Sequence, residues 1–250
     1  MKMNPMEQFA VKPIWDFHIG HYDLAFTNQS LSMLLVVGAA TLFILVASAK
    51  PQLVPGRMQS MAELVHEFVA NMIRQAAGED GMIFFPFVFT LFIFVLFSNF
   101  FGLLPGIFTV TSQIAVTFAL AIVVFLTVLV TGFGKHGIGF LRLFVPHAPW
   151  YIVWLLIPIE LISFIIRPLT LSVRLFANML AGHTMLKVFA GFVVMIGGIK
   201  GIAALASIGP MFMIIAVMAL EMLVAFLQAF VFAILTCIYL NEALHLHEQH

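Results

Sequence analysis

The sequence predicts an all-α integral membrane protein: five membrane spans and one interfacial amphipathic helix, with the last two spans forming a long tilted antiparallel hairpin. Three observations predict it. Apolar residues make up 63% of the 250-residue chain and charged residues 9%, against about 45–50% and about 25% in soluble globular domains. Separate apolar stretches reach the roughly 20 residues that a helix needs to cross a hydrocarbon core about 30 Å thick. The period-two alternation of a transmembrane β-barrel is absent. A formal net charge of zero offers no basic face to nucleic acid. A single cysteine, Cys237, excludes a disulfide framework or a multi-cysteine metal site.

The elements follow in order, within one membrane domain covering residues 1–250. Residues 1–30 are largely polar and lack an apolar core with a small-residue cleavage site, so no cleaved signal peptide is expected. Leu31–Ala49 is the first span. Over Ser60–Gly78 the apolar Met61, Leu64, Val65, Phe68, Val69, Met72, Ile73 and Ala76 recur at helical spacing. Glu63, His66, Glu67, Asn71 and Arg74 take the other side, which is the pattern of a helix lying in the membrane interface. Ser60 with Glu63 has capping-box spacing, and Gly78 is a stop signal. Phe84–Leu104 and Ile114–Phe133 are the second and third spans, joined by Pro105–Gln113, and no ionisable Asp, Glu, Lys, Arg or His occurs from Met82 to Gly134. The seven phenylalanines from Phe84 to Phe97 read as lipid-facing bulk.

From Trp150 the apolar sequence continues almost to Asn241, interrupted only by Gly197, Gly198, Gly201, Gly209 and Pro210. Two long helices, 150–197 and 203–242, are expected, turning near residue 201, with Pro158 and Pro168 as candidate kinks in the first. Lys50, Arg57, Arg74, Lys135 and Arg142 fall on one side of this topology and Lys2, Lys12 and Lys200 on the other. The excess puts the N-terminus outside and the C-terminus in the cytoplasm. No internal repeat supports an inverted-repeat transporter.

The hairpin carries charges where lipid disfavours them: Glu160, Arg167, Arg174, Lys187 and Glu221, with His183. An ionised side chain at the bilayer centre costs about 2.5–3.5 kcal/mol on insertion scales. Arg174 is the sharpest case, because a guanidinium cannot shed its charge on burial. It needs an anion or a water-filled cavity, whereas Arg167 is near enough to the cytoplasmic end to snorkel. Facing residues of an antiparallel pair keep a constant sum of residue numbers. Arg174 with Gln228 and His183 with Glu221 differ by only two in that sum, and both place the turn at residues 201–202. Arg174 and Asn178, four apart, share a helix face. His183 lies about half a turn away from Arg174, so a flat facing of all these groups fails. A titratable His–Glu pair with a permanent cation at another depth suits a proton path with an electrostatic barrier. His183 is the only histidine within a predicted span, which disfavours bis-His haem. His245, His247 and His250 read as a solvated polar terminus rather than a metal cluster.

The stretch Thr170-Leu171-Ser172-Val173-Arg174-Leu175-Phe176-Ala177-Asn178-Met179 resembles the signature of subunit a of F-type ATP synthases. Asn99-Phe100-Phe101-Gly102-Leu103-Leu104-Pro105 resembles a second segment of that family, and Glu221 and Gln228 match polar positions of its last helix. The resemblance implies the stationary part of a proton turbine; with no transit-like leader in the sequence, a bacterial inner membrane is expected over a mitochondrial one, although organelle-encoded versions also lack a leader. Its partners would be the c-subunit ring, b-type peripheral stalk subunits, the remainder of the synthase and the lipid bilayer, with protons as the transported ion. It implies no cofactor, no metal and no enzyme activity of the chain alone. By similarity Arg174 faces a ring carboxylate. His183, Asn178, Glu221 and Gln228 adjoin an outer half-channel, and Glu160 serves an inner one. Some bacterial relatives have an acid at position 183 and a histidine at 221; the exchange seen here is similar to mitochondrial versions. The rival readings are a self-contained secondary transporter or ion channel, and a respiratory-complex membrane subunit.

Overall fold

A computed structural model of the chain describes residues 13–19, 22–49, 52, 54–104, 107–144, 150–198 and 207–245. The chain is an all-α membrane protein with five helices long and apolar enough to cross a membrane. An antiparallel β-hairpin precedes them. Its strands, β1 (Pro13–Ile19) and β2 (Tyr22–Thr27), pair Trp15 with Phe26, Phe17 with Leu24 and Ile19 with Tyr22. The helices are α1 (Asn28–Ser48), α2 (Arg57–Ala77), α3 (Phe85–Gly102), α4 (Ile114–His136), α5 (Trp150–Gly197) and α6 (Ile208–Leu244). The expected turn at 201–202, Lys200, Pro105, and the tail residues His247 and His250 lie outside the described residues.

Helix ends follow local chemistry. The α1 helix starts three residues before its apolar run because the Thr27 hydroxyl accepts the Ser30 N–H at 3.3 Å, a side-chain cap. The α2 helix begins at Arg57 with Gly56 as its N-cap and no side-chain cap. Ser60 therefore sits inside the first turn, with its N–H on the Gly56 carbonyl, and does not open the helix as the capping box suggested. At the other end Gly78 takes φ +67°, the left-handed region that glycine enters without penalty. The α4 helix closes with Lys135 and His136, cations suited to a helix C-terminus. Thr127 and Thr131 donate to carbonyls one turn back, at 2.8 Å and 2.7 Å, so their hydroxyls need no water.

At 1.5 Å per residue, α5 (48 residues) and α6 (37 residues) are far longer than a perpendicular crossing needs. The α5 helix runs through Pro158 and Pro168, each of which lacks the N–H for one ladder bond. Just beyond Pro168, the Thr170 and Ser172 hydroxyls donate to the Arg167 and Leu169 carbonyls. In α6 the buried residues Val217, Glu221, Ala225, Gln228, Phe232, Thr236 and Leu240 recur at helical spacing, so one stripe of the helix is packed.

The residues group into two compact units. The first draws its described residues from Met1–Leu42, Phe94–Gln113 and Leu175–Ala229. Within it Ser32, Val36 and Ala40 form the buried stripe of α1, while Leu34, Leu35 and Leu42 are exposed as lipid-facing side chains would be. The connection after α3 is buried: Thr109, Val110, Thr111 and Ser112 are all under a tenth exposed.

The second unit comprises Phe43–Ile93, Ile114–Arg174 and Phe230–His250. Here one of the phenylalanines expected to face lipid, Phe92, is buried, while Phe84, Phe85, Phe87 and Phe89 are half-buried. Phe92 is 1% exposed, Phe68 of α2 lies 5.8 Å from the rings of both Phe92 and Phe230, and the His66 ring lies 4.5 Å from that of Phe85, tilted 49° to it. The reason is α2 itself, which buries Val69, Ala70, Met72, Ile73 and Ala77 and so covers the start of α3. Asp80, in the short 3-10 turn ahead of α3, lies 3.8 Å from Lys135 Nζ and 3.4 Å from His245 Nε2. His136 Nε2 contacts the Leu244 carbonyl at 3.2 Å. These contacts gather the start of α3 and the ends of α4 and α6 at one level. His245, expected as a solvated tail residue, is instead tied to Asp80 and, through Nδ1, to Asn241 at 2.8 Å.

Candidate functional site

In the first unit His183 of α5 and Glu221 of α6 face each other, with Nε2 3.5 Å from Oε1. They are 9% and 4% exposed. Gly182 creates the room: a Cβ there would stand 2.7 Å from Glu221 Oε1 and 3.0 Å from Cδ, so any other residue would push the carboxylate aside. Neither Glu221 oxygen has a hydrogen-bond partner among the described residues. Among the described residues the charge partner within 4 Å of this carboxylate is the imidazole of His183, and a buried anion without donors is otherwise costly. Imidazolium–carboxylate and the neutral pair differ by the position of one proton, which is the property of a proton-transfer pair.

A shell of neutral hydrogen bonds surrounds the pair. Thr109 Oγ1 lies 3.2 Å from His183 Nε2. Asn99 Nδ2 donates to the Ala225 carbonyl at 3.1 Å, and Thr111 Oγ1 donates to Asn99 Oδ1 at 2.9 Å. The buried connection is thus pinned to both α3 and α6. One to two turns along, Asn178 Nδ2 donates to Gln228 Oε1 at 2.7 Å, and Gln228 Nε2 is buried without a partner among the described residues. Asn178 and Glu221 both line an open, largely apolar cleft of about 720 Å³ bounded by Phe176, Met185, Val217 and Leu220.

The second unit holds two arginines of α5 with opposite fates. Arg167 does not snorkel. Its Nη1 is hydrogen-bonded to Glu242 Oε2, its Nη2 lies 4.0 Å from Glu160 Oε1, and its guanidinium sits 5.1 Å over the Tyr239 ring. Arg174 is exposed, and among the described residues it makes no hydrogen bond or ion pair. Along α5 the buried positions are Leu171, Leu175, Met179 and His183, while Arg174, Asn178 and Ala181 are exposed. Arg174 and Asn178 thus lie on one face and His183 on another, as their spacing implies. Among the described residues no group of three or more His, Cys, Asp or Glu side chains could hold a metal ion.

Glu242 and Thr109 escaped the sequence reading. The constant-sum rule holds at His183 and Glu221 but misses Arg167 and Glu242 by more than a helical turn, because a long guanidinium side chain reaches along the helix axis. Thr109 carries no sequence signal of its role beyond being a hydroxyl near the Asn99 segment. The Arg167–Glu242 bond gives a stability prediction. Removing one partner, as in Arg167→Met or Glu242→Gln, is expected to cost about 1.5–3 kcal/mol, the typical worth of a hydrogen bond to a charged group. Thermal unfolding of the chain in mild detergent should show both singles lowered and the double Arg167→Met/Glu242→Met less stable than wild type by much less than the two losses added.

The family model of the ATP synthase A chain matches residues 30–241. The chain is 56% identical to ATP synthase subunit a of Mesorhizobium japonicum over 98% of its own length and 97% of the relative's. It is 54% identical to ATP synthase subunit a of Bradyrhizobium diazoefficiens and 52% identical to that of Rhodospirillum rubrum, in each case over 98% of this chain and 99% of the other.

Proposed function

The chain belongs to the ATP synthase A chain family, and we propose that its Arg174 couples proton flow to the rotation of a ring of c subunits. In outline it is the proton-channel component of the synthase membrane sector, a multi-pass membrane protein that works with the rest of the complex. One observation carries the finer reading. Of two arginines on the same helix, Arg167 is neutralised inside the chain and Arg174 is not. A fixed cation kept in an apolar stretch, with no anion bonded to it among the described residues, is placed for an anion that another chain brings.

The cycle follows from charge costs. A ring carboxylate tolerates lipid only when protonated. Beside Arg174 its anion is stabilised, so the proton leaves, and the unprotonated site stays near the cation until an inlet reprotonates it. The His183–Glu221 pair, with Asn178 and Gln228, supplies the outer half-channel, and Glu160 adjoins the inner one, with the C-terminus cytoplasmic. Each 100 mV adds about 2.3 kcal/mol per proton to the drive. The partners are the c ring and the b-type peripheral stalk; the reading needs no cofactor.

Reconstitution tests it. The chain alone in liposomes should carry no proton current under an imposed potential, while the complete synthase containing it should pump protons on ATP addition. Sustained proton flux through the isolated chain would instead favour a self-contained channel or transporter.

A further inference from the structure

We infer that Thr109 is a positioning residue for the proton-transfer pair, its hydroxyl holding the His183 imidazole at Glu221 through both protonation states. The inference rests on the reading of His183 and Glu221 as part of the proton path. Thr109 Oγ1 stands between two partners, His183 Nε2 at 3.2 Å and the Gly102 carbonyl at 3.4 Å. A hydroxyl has one proton and can also accept. With its proton on the Gly102 carbonyl, Oγ1 accepts from the imidazolium Nε2–H. When that proton passes to Glu221 Oε1, 3.5 Å away, the N–H bond breaks, an O–H bond forms and Nε2 becomes an acceptor. Once Glu221 has passed that proton on, the Thr109 hydroxyl turns to donate to the bare Nε2, so the ring keeps a partner on the same edge and need not rotate away between transfers.

The surroundings make this hydroxyl fixed in place. Thr109 is 7% exposed, and its carbonyl accepts from Ser112 Oγ at 2.6 Å. Its methyl carbon lies 2.7 Å from the position a Gly102 Cβ would take, so the absence of a side chain at Gly102 admits it. Thr111 and Asn99, bonded to each other and to the α6 backbone, hold the segment that carries Thr109.

The test uses complete synthase in membranes, with ATP-driven pumping and passive proton conduction each normalised to assembled complex. Val keeps the methyl volume and loses the hydroxyl; Ser does the reverse. Thr109→Val should lower conduction about three- to tenfold, the worth of one hydrogen bond, and Thr109→Ser should stay within twofold of wild type. In a His183→Ala background Thr109→Val should add nothing. If Thr109→Val fails to assemble, Thr109→Ala compared with Thr109→Ser gives the same reading. A defect in Ser with normal Val would show packing alone, and a Val defect undiminished without His183 would place its action elsewhere; either overturns the inference. Normal Val beside a defective His183→Ala overturns it while leaving the proton-path reading intact. Normal conduction in His183→Ala removes that reading, and this inference with it.

Discussion

Membranes carrying Arg174→Ala are expected to lose ATP-driven proton pumping to below about one-hundredth of wild type, with the complex still assembled. The magnitude comes from the cation's task. An intramembrane charge costs about 2.5–3.5 kcal/mol when nothing answers it, and without the guanidinium a ring carboxylate meets that cost each time it deprotonates. At 1.36 kcal/mol per tenfold this is about two orders of magnitude. Assembly should survive because Arg174 bonds to nothing else among the described residues of its own chain. Arg174→Lys should recover little. A lysine ammonium in apolar surroundings can lose its proton, and it lacks the planar fork that holds a moving carboxylate. Quenching of a pH-sensitive dye in inverted vesicles measures both; normal pumping by Arg174→Ala would end the proposal.

The second large effect is expected at His183 and Glu221. Their atoms are 3.5 Å apart and Glu221 has no hydrogen-bond donor among the described residues, so each single change strands the other group. His183→Ala leaves a buried carboxyl without a cation, and Glu221→Ala leaves the imidazole without its acceptor. Each should lower pumping at least about tenfold, as loss of a positioned acid–base group does. The exchanged double His183→Glu/Glu221→His should exceed both singles, since the pair works through one shared proton whichever helix bears the imidazole. A double no better than the worse single, measured at equal assembly, argues against direct transfer between them.

Much of the membrane architecture was legible because apolar runs are read one segment at a time. Each of the five spans must satisfy its own backbone in lipid, so its helix is dictated locally. The His183–Glu221 contact was legible too, since facing residues of an antiparallel hairpin obey a simple count. The β-hairpin was missed although Trp15, Phe17 and Ile19 alternate as Tyr22, Leu24 and Phe26 do; a short pairing near a polar terminus gives few residues to count. Phe92 of α3 was misjudged for a different reason. Lipid and protein core accept the same side chains, so composition does not say which covers Phe92, and the answer was Phe68 of α2.

The same division holds for function. That this chain is helical and membrane-spanning, and that it keeps ionisable groups at Glu160, Arg174, His183 and Glu221 in apolar surroundings, is determined by the sequence alone, because those are properties of single segments and their transfer energies. Which of two arginines on one helix is already neutralised, which carboxylate is left without donors, and which hydroxyl touches the imidazole were decided by the tertiary structure. Charge and hydrogen-bond satisfaction depend on atoms within about 4 Å. Residues as distant in the chain as 167 and 242, or 109 and 183, come that close only once the helices have packed.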